Sequence, residues 1–145
     1  MNVPTTFGNF WVRLLVNSPL HFLLGNSFAV ITVTGRKTGK QISTPVNTVL
    51  TGGTLTVISL RSRTWWRNLQ EGQLAQLRRA GKQFPVRGEV VRTPAEVAKG
   101  LAEYFAQYPA YAKYFKVPLS PDGKPDPKEL ERVSGERLLV RLHPV

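Results

Sequence analysis

Gly35-Arg36-Lys37-Thr38-Gly39-Lys40 sets three cations within five residues and brackets two of them with glycines. An apolar, β-branched run from Phe28 to Thr34 leads in, and a second strand-like run from Gln41 to Leu50 leads out. The pattern is a β-hairpin with a basic tip. Gly35 and Gly39 let the backbone turn tightly and aim N–H groups at a ligand, and the cations supply charge. The chemistry this suits is the holding of a phosphate or carboxylate. It is not a nucleotide P-loop, which needs four residues between its glycines, Ser or Thr after the Lys, and a helix next. Here Gln41 follows Lys40 and a strand comes next. A solvated tip whose lysines serve solubility is the other reading of the same residues.

The rest of the composition narrows the chemistry. The chain has 145 residues and no cysteine, which excludes disulfides, thiol catalysis and Cys-ligated zinc. Its two histidines, His21 and His143, are far apart, so a His-rich metal site is not expected. The net charge is +11, and its distribution says more than its sum. The first acid is Glu71; seven cations precede it, and all nine acids follow position 70 with the other thirteen. A half-chain without acids leaves its arginines to attract an outside anion: nucleic acid, anionic lipid or a phosphorylated cofactor. No segment approaches the ~20 apolar residues of a membrane span, and the start lacks a leader pattern. The expectation is a soluble, cytoplasmic protein.

The elements that must position the basic tip read as follows. Residues 8–17 and 18–24 have helical periodicity, with Ser18-Pro19 opening the second piece. This stretch is apolar nearly all round. It packs on the core, or it forms a lid over an apolar site or a peripheral membrane contact. Strands follow at Phe28–Thr34, Gln41–Leu50 and Thr54–Leu60, with Gly52-Gly53 as a turn. Thr64 opens a short helix that ends near Gly72. Leu74–Arg79 and Gln83–Arg92 form another hairpin about Ala80-Gly81, with Pro85 marking an edge or a bulge. Thr93-Pro94-Ala95-Glu96 is a helix start with a capping box, and its stripe runs to about Gln107. Pro109 opens another helical piece, residues 117–127 are loop, Asp126-Pro127 caps a helix through Arg132, and Glu136–Leu142 closes the sheet. The expected fold is α+β, mainly β: a six- or seven-stranded antiparallel split β-barrel with N-terminal and peripheral helices. It forms one domain over 1–145, with a helical segment at 1–27 and an inserted loop and short helix at 117–135.

Three stretches in order carry a resemblance: Thr-Gly-Arg-Lys-Thr-Gly-Lys at 34–40, Thr-Pro-Val at 44–46 and Trp-Trp-Arg-Asn-Leu at 65–69. With them the chain resembles the deazaflavin-dependent nitroreductase and quinone reductase family, from about residue 18 to Phe115. These are split β-barrels related to the FMN-binding pyridoxamine-phosphate-oxidase fold. The resemblance implies coenzyme F420, a 5-deazaflavin with a phosphate and a polyglutamate tail, and a hydride passed to a quinone, nitroaromatic or activated alkene. It puts Arg36, Lys37 and Lys40 on the phosphate and tail, with Thr38 and Gly39 donating backbone N–H groups. Thr44, Pro45 and Val46 would lie beside the ring. Ser59, Leu60, Arg61 and Arg63 would hold its far edge, the arginines reaching its phosphate. Trp66 and Asn68 would close the pocket, with Trp65 in the core.

Tyr108, Tyr111 and Tyr114 recur every three residues and so share a helical face. The resemblance makes them the catalytic candidates, lining the acceptor side and donating a proton or hydrogen bond. Packing on the barrel is the competing reading. The implied partners are the anionic cofactor and a small hydrophobic electron acceptor, in a monomer or weak homodimer. FMN stays open beside F420, because related barrels hold either in much the same place. An FMN- or haem-binding protein with little catalysis, and a basic nucleic-acid module, are the alternative functions. Against the last, the aromatics are not interleaved with cations. The 117–135 insertion departs from compact family members.

Overall fold

The computed structural model describes residues 28–51 and 53–145. The helices expected at 8–17 and 18–24 lie outside the described residues, as do the membrane contact and the monomer argument that rested on them. Six strands close into an antiparallel barrel in the order β1-β2-β3-β6-β5-β4. They are β1 (Phe28–Thr34), β2 (Gln41–Thr51), β3 (Thr54–Leu60), β4 (Leu74–Arg79), β5 (Lys82–Val91) and β6 (Arg137–Pro144). A 3-10 helix (Trp65–Gly72) joins β3 to β4; α1 (Pro94–Gln107), α2 (Pro109–Tyr114) and α3 (Pro127–Glu136) lie between β5 and β6.

The strands form because their apolar residues fall on alternate positions, and successive side chains of a strand point to opposite faces. Ala29, Ile31 and Val33 of β1, Leu55 and Val57 of β3, and Ala75 and Leu77 of β4 are buried on the inner face. Ala80 (φ +51) and Gly81 (φ +77) both take left-handed backbone, the turn a two-residue hairpin needs. Pro85 is neither at an edge nor part of an offset pairing: it sits opposite Gln76, and β5 lies between β4 and β6. The C=O of Pro85 accepts from the N–H of Val145, the last residue of the chain, at 3.2 Å. N and O of one strand residue project to the same side, so the missing N–H of Pro85 falls on the side of that bond to Val145.

The chain divides into two compact units. The first contains β1, β2, most of β3, the 3-10 helix, β4, most of β5 and the end of β6. The second holds Ile58–Thr64 and Val90–Val140, including the three α-helices. In the first unit, Gly88 of β5 meets the 3-10 helix so closely that a Cβ there would lie 2.8 Å from Leu69 Cβ. Leu69 is fully buried, so it has no room to yield. Gly88→Ala is therefore expected to cost about 1–3 kcal/mol, as overpacking does, read as a shifted urea midpoint. An unchanged midpoint would show that the helix moves aside freely.

In the second unit, α1 buries Val97, Leu101, Tyr104 and Phe105, a stripe at helical spacing. Thr93 stands at its N-cap with extended backbone, but its side chain makes no capping bond, so the expected capping box is not made. Pro94 supplies the start instead, with its φ already set. Asp126 does cap α3, accepting from Glu129 N–H at 3.0 Å. That helix runs to Glu136 rather than stopping at Arg132, because Val133 and Ser134 are buried and Arg132 pairs with Glu129 and Glu136. β6 accordingly starts at Arg137.

Candidate functional site

The basic tip is built as a six-residue loop, 35–40, between β1 and β2. Gly35 N–H donates to Lys40 O at 2.7 Å, and Gly39 N–H donates back to Gly35 O at 2.8 Å. Gly39 takes φ +70, the left-handed backbone that lets the chain return. Lys40 N–H donates to Thr38 Oγ1 at 3.2 Å. The 3-10 helix fixes the tip from outside: Arg36 N–H donates to Asn68 Oδ1 at 3.0 Å, and Asn68 Nδ2 donates to Trp65 O at 3.2 Å. These bonds revise the expected donors. The Gly39 amide is spent inside the turn. Among the described residues, no acceptor takes the amides of Lys37 and Thr38, and these two are the tip's available backbone donors. Asn68 positions the loop, with both ends of its amide engaged.

The side chains of Arg36, Lys37 and Lys40 are exposed, and among the described residues no carboxylate pairs with any of them. The nearest acid in the chain is Glu71, so this follows directly from the charge distribution. An unpaired trio of cations on a loop held by four hydrogen bonds is preorganised for an anion.

The register of the hairpin decides what β2 offers next to it. Gly35 and Lys40 form a hydrogen-bonded pair. Pairing types alternate along an antiparallel ladder. The pairs Val33↔Ile42, Ile31↔Thr44 and Ala29↔Val46 are therefore bonded, while Gln41, Ser43 and Pro45 turn their backbone groups away from β1. On that far side, among the described residues, β2 pairs with β3 over Thr48–Thr51. The N–H groups of Gln41 and Ser43 and the carbonyls of Gln41, Ser43 and Pro45 thus line a split edge directly below the tip. A proline fits there because its position owes β1 no N–H. Of the three residues expected beside a ring, only Pro45 puts its side chain on the outer face. Thr44 and Val46 share the inner face with Ile31 and Ala29, and Val46 is buried. Gln41 and Ser43 were missed from the sequence. Pro45 inside a strand was the available signal, since it fixes which residues face the open side. The outer face also carries a Thr32–Ser43 hydroxyl pair at 2.9 Å.

Trp66 does not divide from Trp65 as expected. Both are buried, at 2 % and 5 % exposure. The segment is a 3-10 helix with about 3 residues per turn, so positions i and i+3 align. Trp66 therefore shares a stripe with the fully buried Leu69, and Trp65 shares one with Asn68. The expectation assumed α-helical geometry. Trp66 belongs to the core, with the Arg67 guanidinium 5.2 Å from its ring centroid.

The remaining candidates belong to the second unit. Ser59 is buried and donates to Leu60 O at 3.2 Å, and Leu60 is exposed. Arg61 is a fold residue: Nη2 donates to Arg92 O at 2.7 Å and Ser134 O at 2.8 Å, and Nε donates to Ser134 O at 3.3 Å. This clasp leaves only Nη1 for a ligand. Arg63 is exposed, with its backbone N–H on Leu60 O at 3.1 Å.

The tyrosines do not form one face, because the helix breaks at Tyr108 (φ −131, ψ 77), which ends α1 and starts α2. Tyr111 stacks on the buried Tyr104 with ring centroids 4.8 Å apart, and Tyr108 meets Tyr111 edge-on at 5.8 Å. Tyr114 turns instead to Phe115, edge-on at 4.9 Å. Burial pushes the Tyr104 phenol far above its ordinary value, and Tyr111, hydrogen-bonded to it, adds to the rise. Tyr104 thus stays protonated and shares a hydrogen bond with Tyr111. The half-buried Tyr108 hydroxyl accepts from Gln107 Nε2 at 3.3 Å. Tyr104 was not a sequence candidate, because nothing in the spacing separated it from the core stripe of α1.

With this geometry in place, the chain was compared with known proteins. A family model described as F420H(2)-dependent quinone reductase matches residues 16–117. No curated protein matches the sequence. Among solved structures, one described as a domain-swapped dimer aligns over 97 % of this chain and 100 % of its own, with 17 % identity and a TM-score of 0.54. An F420-H2 dependent reductase aligns over 81 % of this chain and 96 % of its own, with 17 % identity and a TM-score of 0.50. A pyridoxamine 5'-phosphate oxidase-related, FMN-binding protein from Nostoc punctiforme aligns over 99 % of this chain and 82 % of its own, with 13 % identity and a TM-score of 0.54. At these identities the structural likenesses show the fold: a split barrel, as the strand order describes.

Proposed function

We propose that this chain, which belongs to the F420H(2)-dependent quinone reductase family, holds coenzyme F420 with the Arg36–Lys40 tip and the open edge of β2, and reduces a small organic acceptor: a quinone, a nitroaromatic or an activated alkene. The observation that carries the reading is the tip itself. Three cations without an acid partner stand on a loop whose amides at Lys37 and Thr38 are available, and the β2 edge continues the row of donors. A phosphate and a chain of carboxylates need such cations. The edge of a flat heterocycle needs fixed backbone donors and acceptors, which Gln41, Ser43 and Pro45 offer.

When bound, the reduced deazaflavin supplies the hydride. The protein then has to hold the tail, orient the ring and provide a proton or hydrogen bond where negative charge develops on the acceptor. Tyr111 suits the last task. Its ring stacks on that of the buried Tyr104 at 4.8 Å and the two hydroxyls share a hydrogen bond, which holds the Tyr111 oxygen in place. Arg61 is left out of the cofactor set because its guanidinium is engaged with Ser134 and Arg92.

The test is titration of the purified protein with F420 and, separately, FMN, followed by tryptophan fluorescence. F420 is expected to bind the more tightly, with affinity that falls as salt rises, because exposed cations are screened. Equal or stronger binding of FMN would remove the tail-gripping role of the tip. No binding of either would sink the reading altogether.

A further inference from the structure

Arg137 is used by nothing described so far. It is the first residue of β6, where the chain leaves α3 in extended conformation. The Arg61 N–H donates to Glu136 O at 3.0 Å, which sets the end of β3 against the start of β6. Arg63, two residues on from that bond, and Arg137, next to its acceptor, therefore come to the same end of these strands. The Arg137 guanidinium lies over the Phe115 ring, 5.0 Å from its centroid, and Tyr114 stands edge-on to the same ring.

The charge balance around Arg137 is unusual. Its side chain is half-buried, yet among the described residues no carboxylate bonds it. The adjacent acid, Glu136, is taken by Arg132 at 3.4 Å, and Arg132 also holds Glu129 at 2.7 Å and Phe115 O at 2.9 Å. Burial lowers the pKa of Arg137, and the charge of Arg63 lowers it further, while Tyr114 and Glu136 act the other way. A guanidinium half removed from water, beside a second cation, is stabilised by an arriving anion more than an ordinary surface arginine is. Phe115 fixes the plane of the fork, and a fixed fork suits the paired oxygens of a carboxylate. The flanking rings of Tyr114 and Phe115 favour a flat, aromatic body attached to that anion.

We propose that Arg137, with Arg63, forms a binding site for a carboxylate carried on an aromatic ring.

The experiment is equilibrium dialysis of cofactor-free protein against 4-nitrobenzoate and its neutral methyl ester, two ligands with the same ring. The acid is expected to bind about tenfold more tightly than the ester, the factor of one charge-assisted bond. Arg137→Gln is expected to abolish that preference, and Arg137→Lys to keep part of it. Arg63→Gln, at an exposed position that cannot compromise the core, is expected to reduce it and decides the matter if Arg137→Gln does not fold. Lys128→Gln removes the same charge from exposed α3 and is expected to leave the preference intact. Equal binding of acid and ester, or equal losses in all three Gln variants, overturns the site. Repeating the dialysis with saturating F420 separates the sources of the anion. Continued binding of the acid supports a site separate from the cofactor's, whereas its displacement assigns Arg137 to the cofactor's own oxygens and overturns the proposal.

Discussion

Replacing Arg36 and Lys37 together by alanine is expected to weaken F420 binding by about 2–4 kcal/mol, the range for losing two charge-assisted contacts. The loss is large because nothing else compensates: no acid lies near the tip in sequence, and none pairs with it among the described residues. The substitution leaves the loop's own geometry in place. Arg36 contributes its backbone N–H to Asn68, and alanine keeps that bond. Gly35, Gly39 and Lys40 still close the turn. Thermal stability is therefore expected to stay near wild type, since an exposed tip buries no core. The defect should shrink as ionic strength rises, because the wild type loses the screened part of its affinity and the variant has less to lose. Fluorescence titrations of both proteins, at low salt and at ~0.15 M, give the comparison. Equal affinity for wild type and variant would move the cofactor's tail off this hairpin. A fall in stability matching the fall in affinity would make the cations structural instead.

Elements with a period of two were readable because burial on one face of a strand writes itself into the residue types. The bounds of β1, β3 and β4 follow directly from that alternation. Helix α1 was readable from Pro94 and its stripe for the same reason, at the helical period. What was not legible depends on partners distant in sequence. The family resemblance implied Arg61 as a ligand for phosphate; the carbonyls that occupy it come from Arg92 and Ser134, 31 and 73 residues away. Asn68 looked like a pocket wall, but its partner is the Arg36 backbone, 32 residues back. The tyrosine spacing presumed one unbroken helix, and Tyr108 breaks it. The Trp65-Trp66 division presumed about 100° between neighbours, the α-helical value, where the chain forms a 3-10 helix. The cationic tip was legible because it is a local motif, charged and glycine-bounded within six residues.

The tyrosines can be separated by one experiment. Tyr111→Phe is expected to lower turnover of a quinone or nitroaromatic by roughly tenfold to a thousandfold, the cost of one hydrogen-bond donor to a developing anion. The choice of Tyr111 over its neighbours follows from their partners. Tyr108 already accepts from Gln107, at the junction of two helices. Tyr114 packs edge-on to Phe115 on the side of Arg137. Tyr111 lies nearest the buried Tyr104 ring and shares a hydrogen bond with its hydroxyl, so its oxygen is held in place. Tyr104→Phe removes that support without touching the donor itself. It is expected to lower turnover less than Tyr111→Phe, and the two losses should not add when combined, since they act through one hydroxyl. Cofactor affinity is expected to survive in each variant, because the tip proposed to grip the tail is unchanged. The measurement is steady-state oxidation of reduced F420 by absorbance, with wild type, the three single Phe variants at 108, 111 and 114, Tyr104→Phe and the Tyr104/Tyr111 double variant side by side. If all turn over like wild type, the tyrosines are packing residues and water supplies the proton. If Tyr114→Phe alone is impaired, the donor sits with Arg137 instead, and the acceptor's developing charge lies over that arginine.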